Sequence, residues 1–354
     1  MRRTKVKAIV AVIVTLALAV TGAVLGYHKG RSASATSAGL AATDPPAAVP
    51  GPHPAVPESY GVPRQIPVLC FHGIGTPSPV PRSVGNYNTT PGNFSAEMAY
   101  LHRQGYATIT PQQYANWLNG VRQLLPAKPI LLTFDDAFVS DTEATPVLNE
   151  YGFSAVMFVI TGYANGDYGS IYAGWSTIET MATEGWIIQL HAGECGHAYL
   201  PDAPASCTAG LDRSQFTATD FEYYIWPFGE TDAQYEARVI NDVTVGEAAI
   251  QTHLNFPAGW QSTVFAAPFG AWGNGENRWL ISYWDSIFKT VFVQYISASD
   301  QVIAHADKVR YRLELGYETQ SVAYLKSHLS NAAFTRAGAA SGITTGSSGN
   351  ENVG

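Results

Sequence analysis

The stretch from Pro129 to Asp136, Pro-Ile-Leu-Leu-Thr-Phe-Asp-Asp, constrains the fold more than any other part of the chain. Its apolar part is short, starts at a proline and is rich in branched residues, which predicts a buried strand. The two aspartates then follow the strand at the edge where parallel sheets place their chemistry. Adjacent carboxylates repel each other and resist burial unless a cation or a proton relieves them. Asp135 and Asp136 could therefore supply a metal ligand and a base for a hydrolytic water.

Strand-like and helix-like segments alternate along the chain from residue 65 onward. The predicted strands are residues 67–71, 129–134, 155–160, 186–190, 264–266, 290–294 and 309–313. Predicted helices begin near residues 94, 110, 146, 176, 231, 277 and 321, with capping boxes at Thr110 and Ser176. This alternation implies an α/β fold with a parallel sheet, and about seven strands favour a closed or nearly closed barrel over an open sheet.

The first 30 residues have the pattern of a membrane-targeting segment. Four basic residues within positions 2–7 precede an apolar run from Ala8 to Leu25. At about 1.5 Å per residue in a helix, this run would reach roughly 27 Å, close to the thickness of a hydrocarbon core. The basic flank predicts a cytoplasmic N-terminus and an exported body. We interpret residues 1–30 as an uncleaved signal anchor, which gives a single-pass cell-membrane protein with an extracellular catalytic domain. A cleaved signal peptide and secretion is the alternative.

The segments on either side of the body have a linker composition. Residues 31–64 are rich in Ala, Pro and Ser without periodicity, which is typical of a flexible or partly polyproline linker. Residues 331–354 predict a flexible tail. The remaining residues, 65–330, are long enough for one barrel-sized domain.

The charge is distributed unevenly and excludes some partners. Residues 1–31 hold six Lys and Arg and no acidic residue, so the rest of the chain carries 14 basic against 28 acidic residues. An acidic body argues against a nucleic-acid partner and against tight docking on anionic surfaces. The sequence does not indicate an oligomeric state.

The three cysteines fit an exported chain with one disulfide. Cys195 and Cys207 are separated by a loop-like stretch and could pair in an oxidising compartment. Cys70 lies in the apolar run 67–71, which predicts a buried free thiol.

Chemically capable side chains follow several of the predicted strands. His72 follows the first strand, the aspartate pair follows the second, and His191 follows the strand 186–190, with His197 shortly after. The strand ends of a barrel converge on one face. One aspartate and two histidines make a plausible zinc shell that leaves positions for water and substrate.

These motifs resemble one protein family over residues 65 to 330. Pro67-Val-Leu-Cys-Phe-His72, Thr133-Phe-Asp-Asp136, the region 175–197 and Ala267-Pro-Phe-Gly270 are similar, in this order, to motifs of the polysaccharide deacetylases. The resemblance is to the NodB-homology type, carbohydrate esterase family 4, in the branch that opens with Pro-Val-Leu-x-Tyr-His. It implies a deformed (β/α)7-type TIM-like barrel. It also implies metal-dependent removal of N-acetyl groups from an extracellular or cell-wall polysaccharide of the N-acetylglucosamine type, with Zn²⁺ as the expected metal.

The resemblance also implies roles for individual residues. Asp135 matches the general base, and the backbone N–H near Phe269 matches the oxyanion donor. The implied metal ligands are Asp136, His191 and His197. The implied substrate-binding residues are His72, Pro268 and Trp272. His305 lies in the part of the chain where the family places its acid histidine, which would protonate the leaving amine.

The chain departs from the family pattern at four places. Five residues separate the two histidines, where the family has three, and Glu194 within this stretch is an alternative ligand to His197. Ala137 follows the aspartates, where the family has glycine. Ala266 lies near the position of an arginine that orients the base in the family. The region around His305 lacks the apolar strand context of the family's acid histidine.

Three other functions are compatible with parts of the pattern. An O-acetyl polysaccharide esterase would use the same chemistry with a different leaving group. A catalytically inactive glycan-binding module would account for the altered histidine spacing and the missing acid. A glycosidase fits poorly, because its two carboxylates must flank a glycosidic bond several ångströms apart.

Overall fold

The computed structural model describes residues 58–59, 63–76, 87–166, 170–197, 205–212, 214, 224, 229–270, 278–294, 309–316, 319–330 and 334. The strands are β1 (Glu58–Ser59), β2 (Val68–Phe71), β3 (Tyr106–Thr108), β4 (Leu125–Pro126), β5 (Lys128–Phe134), β6 (Val156–Ile160), β7 (Ile187–Ala192), β8 (Val264–Ala266), β9 (Thr290–Gln294) and β10 (Val309–Glu314). The α-helices are α1 (Pro91–Arg103), α2 (Pro111–Leu118), α3 (Thr145–Tyr151), α4 (Trp175–Thr183), α5 (Asp232–His253), α6 (Arg278–Ile287) and α7 (Val322–His328). Short 3-10 helices cover Val139–Ala144, Tyr163–Asn165 and Pro268–Gly270.

The main sheet is parallel and has the strand order β7-β6-β5-β2-β10-β9-β8. β3 lies off this path and pairs in parallel with the first half of β5, while β2 pairs with the second half. Within the described residues, α1 lies between β2 and β3, and α3, α4, α5 and α6 connect the consecutive strands from β5 to β9, as parallel connections require. The seven strands on the path form a nearly closed (β/α) barrel, as predicted.

Side chains bridge the two strands at the ends of this order, β7 and β8. The Oε1 atom of Gln189 accepts hydrogen bonds from the backbone N–H groups of Thr263 (2.6 Å) and Val264 (3.1 Å). Ser262 Oγ accepts another from Leu190 N–H (2.9 Å). Because these groups are buried, the bridges satisfy backbone donors that would otherwise cost free energy. They hold β7 beside β8 where the described strands share no ladder.

Alternate residues of the strands face two separate hydrophobic clusters. Val68 belongs to an inner cluster with Phe158 and Phe292, and Tyr114 and Trp117 of α2 pack into the same cluster. Leu69, the next residue of β2, belongs to an outer cluster against the helices. Both faces of the sheet are therefore buried, which explains why most of the strands are apolar runs without polar alternation.

Helix ends follow local signals, with one correction. Thr110 caps α2 in the predicted capping box, and Thr231 caps α5 in another. The predicted box at Ser176 is wrong, because α4 begins one residue earlier at Trp175 and Gly174 is its N-cap. Gly152 ends α3 with a left-handed φ of 69°, a conformation that glycine adopts easily.

The folded part of the chain extends beyond residues 65–330 at both ends. Glu58–Ser59, inside the predicted linker 31–64, pair with Leu125–Pro126 in a small antiparallel sheet. Phe334, inside the predicted tail 331–354, is buried, and its carbonyl accepts a hydrogen bond from Ile66 N–H. At these residues, backbone pairing and apolar burial occur despite the linker-like local composition.

The predicted signal anchor at residues 1–30 lies outside the described residues. Among the helices that the structure does describe, none combines the length and the hydropathy needed to span a membrane. The predicted disulfide is confirmed, since Cys195 and Cys207 are bonded, and Cys70 is a buried free thiol as expected.

Glu97 on α1 should make stability depend on pH. Its side chain is fully buried, neither carboxyl oxygen has a hydrogen bond within the described part of the chain, and burial raises its pKa to about 8. The folded state binds this proton more tightly than the unfolded chain does. The stabilisation from Glu97 is therefore complete below about pH 4.5 and is lost as the pH rises towards 8.

We predict that Glu97→Gln removes this pH dependence. The free energy of unfolding, measured with urea, should be the same for the variant and the wild type near pH 5. At pH 8 that of the variant should be higher by about 2 kcal/mol or more. Glu143→Gln, at an exposed position, is the control and should follow the wild type at both pH values. If the difference in free energy of unfolding between Glu97→Gln and the wild type did not change with pH, this account would be contradicted.

Candidate metal centre and active site

The turn after β5 has an unusual backbone that places the aspartate pair. Asp136 and Ala137 both adopt left-handed φ angles, 74° and 56°, which cost non-glycine residues about 1–3 kcal/mol each. The Ala137 carbonyl accepts a hydrogen bond from Ala173 N–H (2.8 Å), and Phe138 pairs with Tyr172 just beyond. These contacts hold the turn, so Ala137 adopts a left-handed conformation that glycine would adopt more easily.

Asp135 forms a buried, bidentate ion pair with an arginine that the sequence analysis missed. Arg312 of β10 donates from Nη1 to Oδ1 and from Nη2 to Oδ2, both at 2.6 Å, and its side chain is fully buried. Nη1 also donates to Thr133 Oγ1 (3.2 Å). Burial by itself would raise the pKa of Asp135, but Arg312 and the nearby imidazoles hold it below its ordinary value. Asp135 is therefore ionised and fixed in orientation at neutral pH.

The arginine expected near Ala266 thus comes from a different strand. The sequence Val309-Arg-Tyr-Arg-Leu carried a signal for it, because a strand buried on both faces contains two arginines at alternate positions. A fully buried arginine almost always has an anionic partner. The only unknown was which carboxylate the topology brings close, and the pairing of β10 with β2 beside β5 answers this.

Asp136, His191 and His197 meet at one point, as predicted. Asp136 Oδ1 lies 3.3 Å from Nε2 of His191 and 3.3 Å from Nε2 of His197. The three ligand atoms lie within 4.8 Å of one another. Asp136 Oδ1 is buried and has no hydrogen-bond partner among the described residues. An orphaned carboxylate oxygen between two imidazole nitrogens fits a divalent cation with mixed N/O ligands, such as Zn²⁺.

The orientation of His191 is set by the bridge between β7 and β8. Its Nδ1 lies 2.8 Å from the Ala266 carbonyl oxygen, which can only accept, so Nδ1 carries the proton. The lone pair of Nε2 therefore points towards Asp136 when the ring is neutral. Burial would lower the pKa of His191, but the Asp135 and Asp136 carboxylates outweigh it and raise the pKa above the ordinary value. A cation at this point would compete with that protonation.

His197 is held in its neutral form. Burial lowers its pKa to about 4, and Asp136 opposes this only partly. Its ring lies 4.3 Å from the ring of Phe269, and its carbonyl accepts a hydrogen bond from Tyr163 Oη (2.9 Å). The alternative ligand Glu194 has an exposed side chain and is not part of the cluster. Of the two alternatives, His197 is therefore the residue placed to act as the third ligand of the candidate metal centre.

The Pro268–Gly270 segment lies beside this centre. Pro268 is buried, and Phe269 adopts a left-handed φ of 58°. Gly270 also has a positive φ, 70°, and a Cβ there would lie 3.0 Å from Gln294 N. The segment is thus fixed between His197 and β9. The role of the Phe269 N–H in holding an oxyanion stays a prediction.

His72 lies on the other side of Asp135. Its Nε2 is 4.0 Å from Asp135 Oδ2 and 3.3 Å from Gln294 Nε2, and its ring lies 5.1 Å from that of Tyr87. Its Nδ1 is buried and unpaired among the described residues. His72 is therefore close enough to the base to take part in proton transfer or to contact a substrate.

Cys70, His72 and Asp135 form a second group with metal-ligand atoms close together. Arg312 already neutralises Asp135, so a cation here would have to compete with a guanidinium. Burial raises the pKa of Cys70 well above its ordinary value, so it stays a thiol and donates to Asp135 Oδ2 (3.7 Å). These three side chains therefore fit a general base, Asp135, with hydrogen-bond donors around it better than they fit a metal site. Trp272 and His305 lie outside the described residues.

Comparisons with known proteins agree with this geometry. Residues 123–278 match the sequence profile of the polysaccharide deacetylase family. The Bacillus subtilis protein YxkH, a proposed polysaccharide deacetylase, is 36% identical over 101 residues. That match covers 28% of this chain and 33% of the relative, so the chain spans about a third of the relative's length.

Three solved structures share the fold. A de-N-acetylase from Aggregatibacter actinomycetemcomitans is 18% identical with a TM-score of 0.57, and the match covers 74% of this chain and 99% of that chain. IcaB from Ammonifex degensii is 22% identical with a TM-score of 0.52, and the match covers 73% of this chain and 94% of that chain. The Streptococcus pyogenes deacetylase PplD, solved in complex with acetate, is 18% identical with a TM-score of 0.51, and the match covers 75% of this chain and 98% of that chain. At these identities the likeness shows the barrel fold alone.

We predict that Arg312→Met destabilises the fold strongly through the unpaired Asp135 carboxylate. Removing one partner of a buried ion pair costs about 3–5 kcal/mol, measured here by urea unfolding in the presence of a chelator. Adding Asp135→Asn should recover part of the loss, since no buried charge then remains. Arg310→Met is a matched control on the same strand, where the arginine has no ion pair among the described residues. If the effects of Arg312→Met and Asp135→Asn on the free energy of unfolding simply added in the double variant, the ion pair would not be a source of stability.

Proposed function

We propose that the chain is a polysaccharide deacetylase, since residues 123–278 match the profile of that family. It hydrolyses N-acetyl groups of an extracellular or cell-wall polysaccharide of the N-acetylglucosamine type with a bound divalent metal, most simply Zn²⁺. The observation that carries the proposal is the convergence of Asp136, His191 and His197 next to an ionised, oriented Asp135. The choice of an amide over an ester follows the family resemblance of the motifs, and the parallel assay below tests it.

The candidate metal centre supplies the electrophilic part of the chemistry. A cation held by Asp136, His191 and His197 would polarise the acetamide carbonyl and lower the pKa of a bound water. His191 and His197 contribute neutral imidazole nitrogens, and Asp136 contributes the negative charge. The Ala266 carbonyl keeps the His191 ring turned towards this point.

Asp135 acts as the general base. It takes a proton from the water while the water oxygen bonds to the acetamide carbon. Arg312 keeps the carboxylate ionised and holds both of its oxygens, so that the base does not rotate between turnovers. The developing negative charge on the carbonyl oxygen would be met by the backbone N–H near Phe269, next to Pro268.

The leaving amine needs a proton when its bond to the carbonyl carbon breaks. Among the described residues, His72 is the imidazole near Asp135 that does not belong to the metal group. We assign it this role, with Gln294 setting the position of its ring. The expected acid His305 remains the alternative from outside the described residues, and Trp272 remains a predicted substrate contact there.

Two features support an exported protein. The Cys195–Cys207 disulfide is typical of oxidising compartments outside the cytoplasm. The basic and apolar pattern of residues 1–30 would anchor the protein in the cell membrane, and the linker would let the barrel reach a polymer. Secretion after cleavage of the segment is the alternative.

The deacetylase proposal is tested by acetate release from N-acetylglucosamine oligomers. We predict that Asp135→Asn lowers kcat by about 10²- to 10⁴-fold, because the base is lost, while the bound metal stays near the wild-type content. Asp141→Asn is a matched control. Burial raises the pKa of Asp141 well above its ordinary value, so an amide mimics its protonated carboxyl and activity should persist.

An O-acetylated glycan assayed in parallel separates the two leaving groups. Acetate from the N-acetyl substrate alone supports the proposal as stated, and acetate from the O-acetylated glycan alone would make the protein an esterase. If the metal-loaded wild type released acetate from neither, the enzymatic proposal would fail in favour of a glycan-binding module. Unchanged activity of Asp135→Asn would remove Asp135 from the mechanism.

A further inference from the structure

The segment between the two histidine ligands needs a support that its sequence does not supply. Residues 192–196 are Ala-Gly-Glu-Cys-Gly, with two glycines and no long apolar side chain. Yet His197 at the end of this segment must meet Asp136 within a few tenths of an ångström to share a cation. Something outside the segment must therefore fix its backbone.

A single carboxylate on α5 binds this backbone at three points. Asp242 Oδ2 accepts hydrogen bonds from Gly193 N–H (3.0 Å) and Gly196 N–H (3.1 Å), and Oδ1 accepts one from Cys195 N–H (2.7 Å). Tyr224 Oη donates a further hydrogen bond to Oδ2. Asp242 is only 3% exposed, so these hydrogen bonds form away from water, where they are strong. Burial raises the pKa of Asp242, but the four donors that point at its two oxygens oppose this rise.

The two glycines allow the close approach of Asp242. A Cβ on Gly193 would collide with the Asp242 carbonyl oxygen, and a Cβ on Gly196 would collide with the Tyr224 hydroxyl and lie 2.6 Å from Asp242 Oδ2. Gly246, one turn further along α5, lets the helix pack on Leu190 of β7. The glycines thus serve helix packing against the ligand-bearing segment, and not only flexibility.

We propose that Asp242 is a positioning residue for the metal centre. Its carboxylate holds the 193–196 backbone so that His197 faces Asp136, and the Cys195–Cys207 disulfide braces the same segment covalently. Asp242 lies outside the cluster of ligand atoms and acts through His197. The inference rests on the proposed function, because it assumes that a cation binds at Asp136, His191 and His197.

The test compares Zn²⁺ affinity and the visible absorption spectrum of bound Co²⁺ in two amide variants. In Asp242→Asn one oxygen becomes an amide NH₂ that faces backbone donors, so at least one hydrogen bond is lost. We expect the Kd for Zn²⁺ to rise about 10- to 100-fold, as for other residues that orient metal ligands, and the Co²⁺ bands to change.

Glu247→Gln is the matched control on the same helix. Glu247 is also buried, but only its Oε2 is used, as acceptor for Ser262 N–H (2.9 Å), while Oε1 has no partner among the described residues. Its pKa is raised by burial to about 7, so the amide can keep the hydrogen bond at little cost. The Zn²⁺ affinity and Co²⁺ spectrum of Glu247→Gln should equal those of the wild type.

The outcomes separate the positioning role of Asp242 from the deacetylase proposal. Wild-type affinity and an unchanged Co²⁺ spectrum in a folded Asp242→Asn would overturn the positioning role while leaving the deacetylase proposal intact. A wild type that binds no Zn²⁺ would overturn both. If Asp242→Asn does not fold, Tyr224→Phe removes one donor to the same carboxylate. It should then raise the Kd by a smaller factor, and an unchanged Kd would again refute the role.

Discussion

Two adjacent buried carboxylates at the end of β5 are the constraint on which the rest of this structure depends. Neither can remain ionised in the interior without a compensating positive charge. Asp135 receives it from Arg312, which reaches across from β10. Asp136 has imidazole nitrogens nearby, and its Oδ1 lacks a hydrogen bond within the described chain, so a bound cation is the compensation that we propose for it. The different partners give neighbouring residues different roles, one as base and one as ligand.

The elements around the aspartate pair orient the histidines that lie beside Asp136. The bridge between β7 and β8 closes the barrel and, through Ala266, also turns His191 towards Asp136. The long helix α5, with Asp242 on its buried side, holds the segment that ends in His197. The elements that stabilise the fold are thus the same elements that orient the ligands. We expect mutations in the β7–β8 bridge or on the buried side of α5 to affect metal binding and stability together.

The sequence predicted the parts that depend on local patterns. All seven strands of the barrel path were found within two residues, because most of these runs are buried on both faces and mainly apolar. Asp136, His191 and His197 were brought together as strand order and motif order indicated. Arg312 and Asp242 were missed because their partners are 177 and 46 to 49 residues away, and only the folded topology chooses between possible carboxylates and donors. β1, β3 and β4 were missed because two or three residues show no periodicity.

The most direct test of the central claim is the position of the ion. Crystals of the protein loaded with Zn²⁺ would be measured on both sides of the zinc absorption edge, and the anomalous difference map computed. The account predicts one strong peak about 2.0–2.2 Å from Asp136 and from Nε2 of both His191 and His197. A peak between Cys70, His72 and Asp135, or no peak beside Asp136, would contradict it.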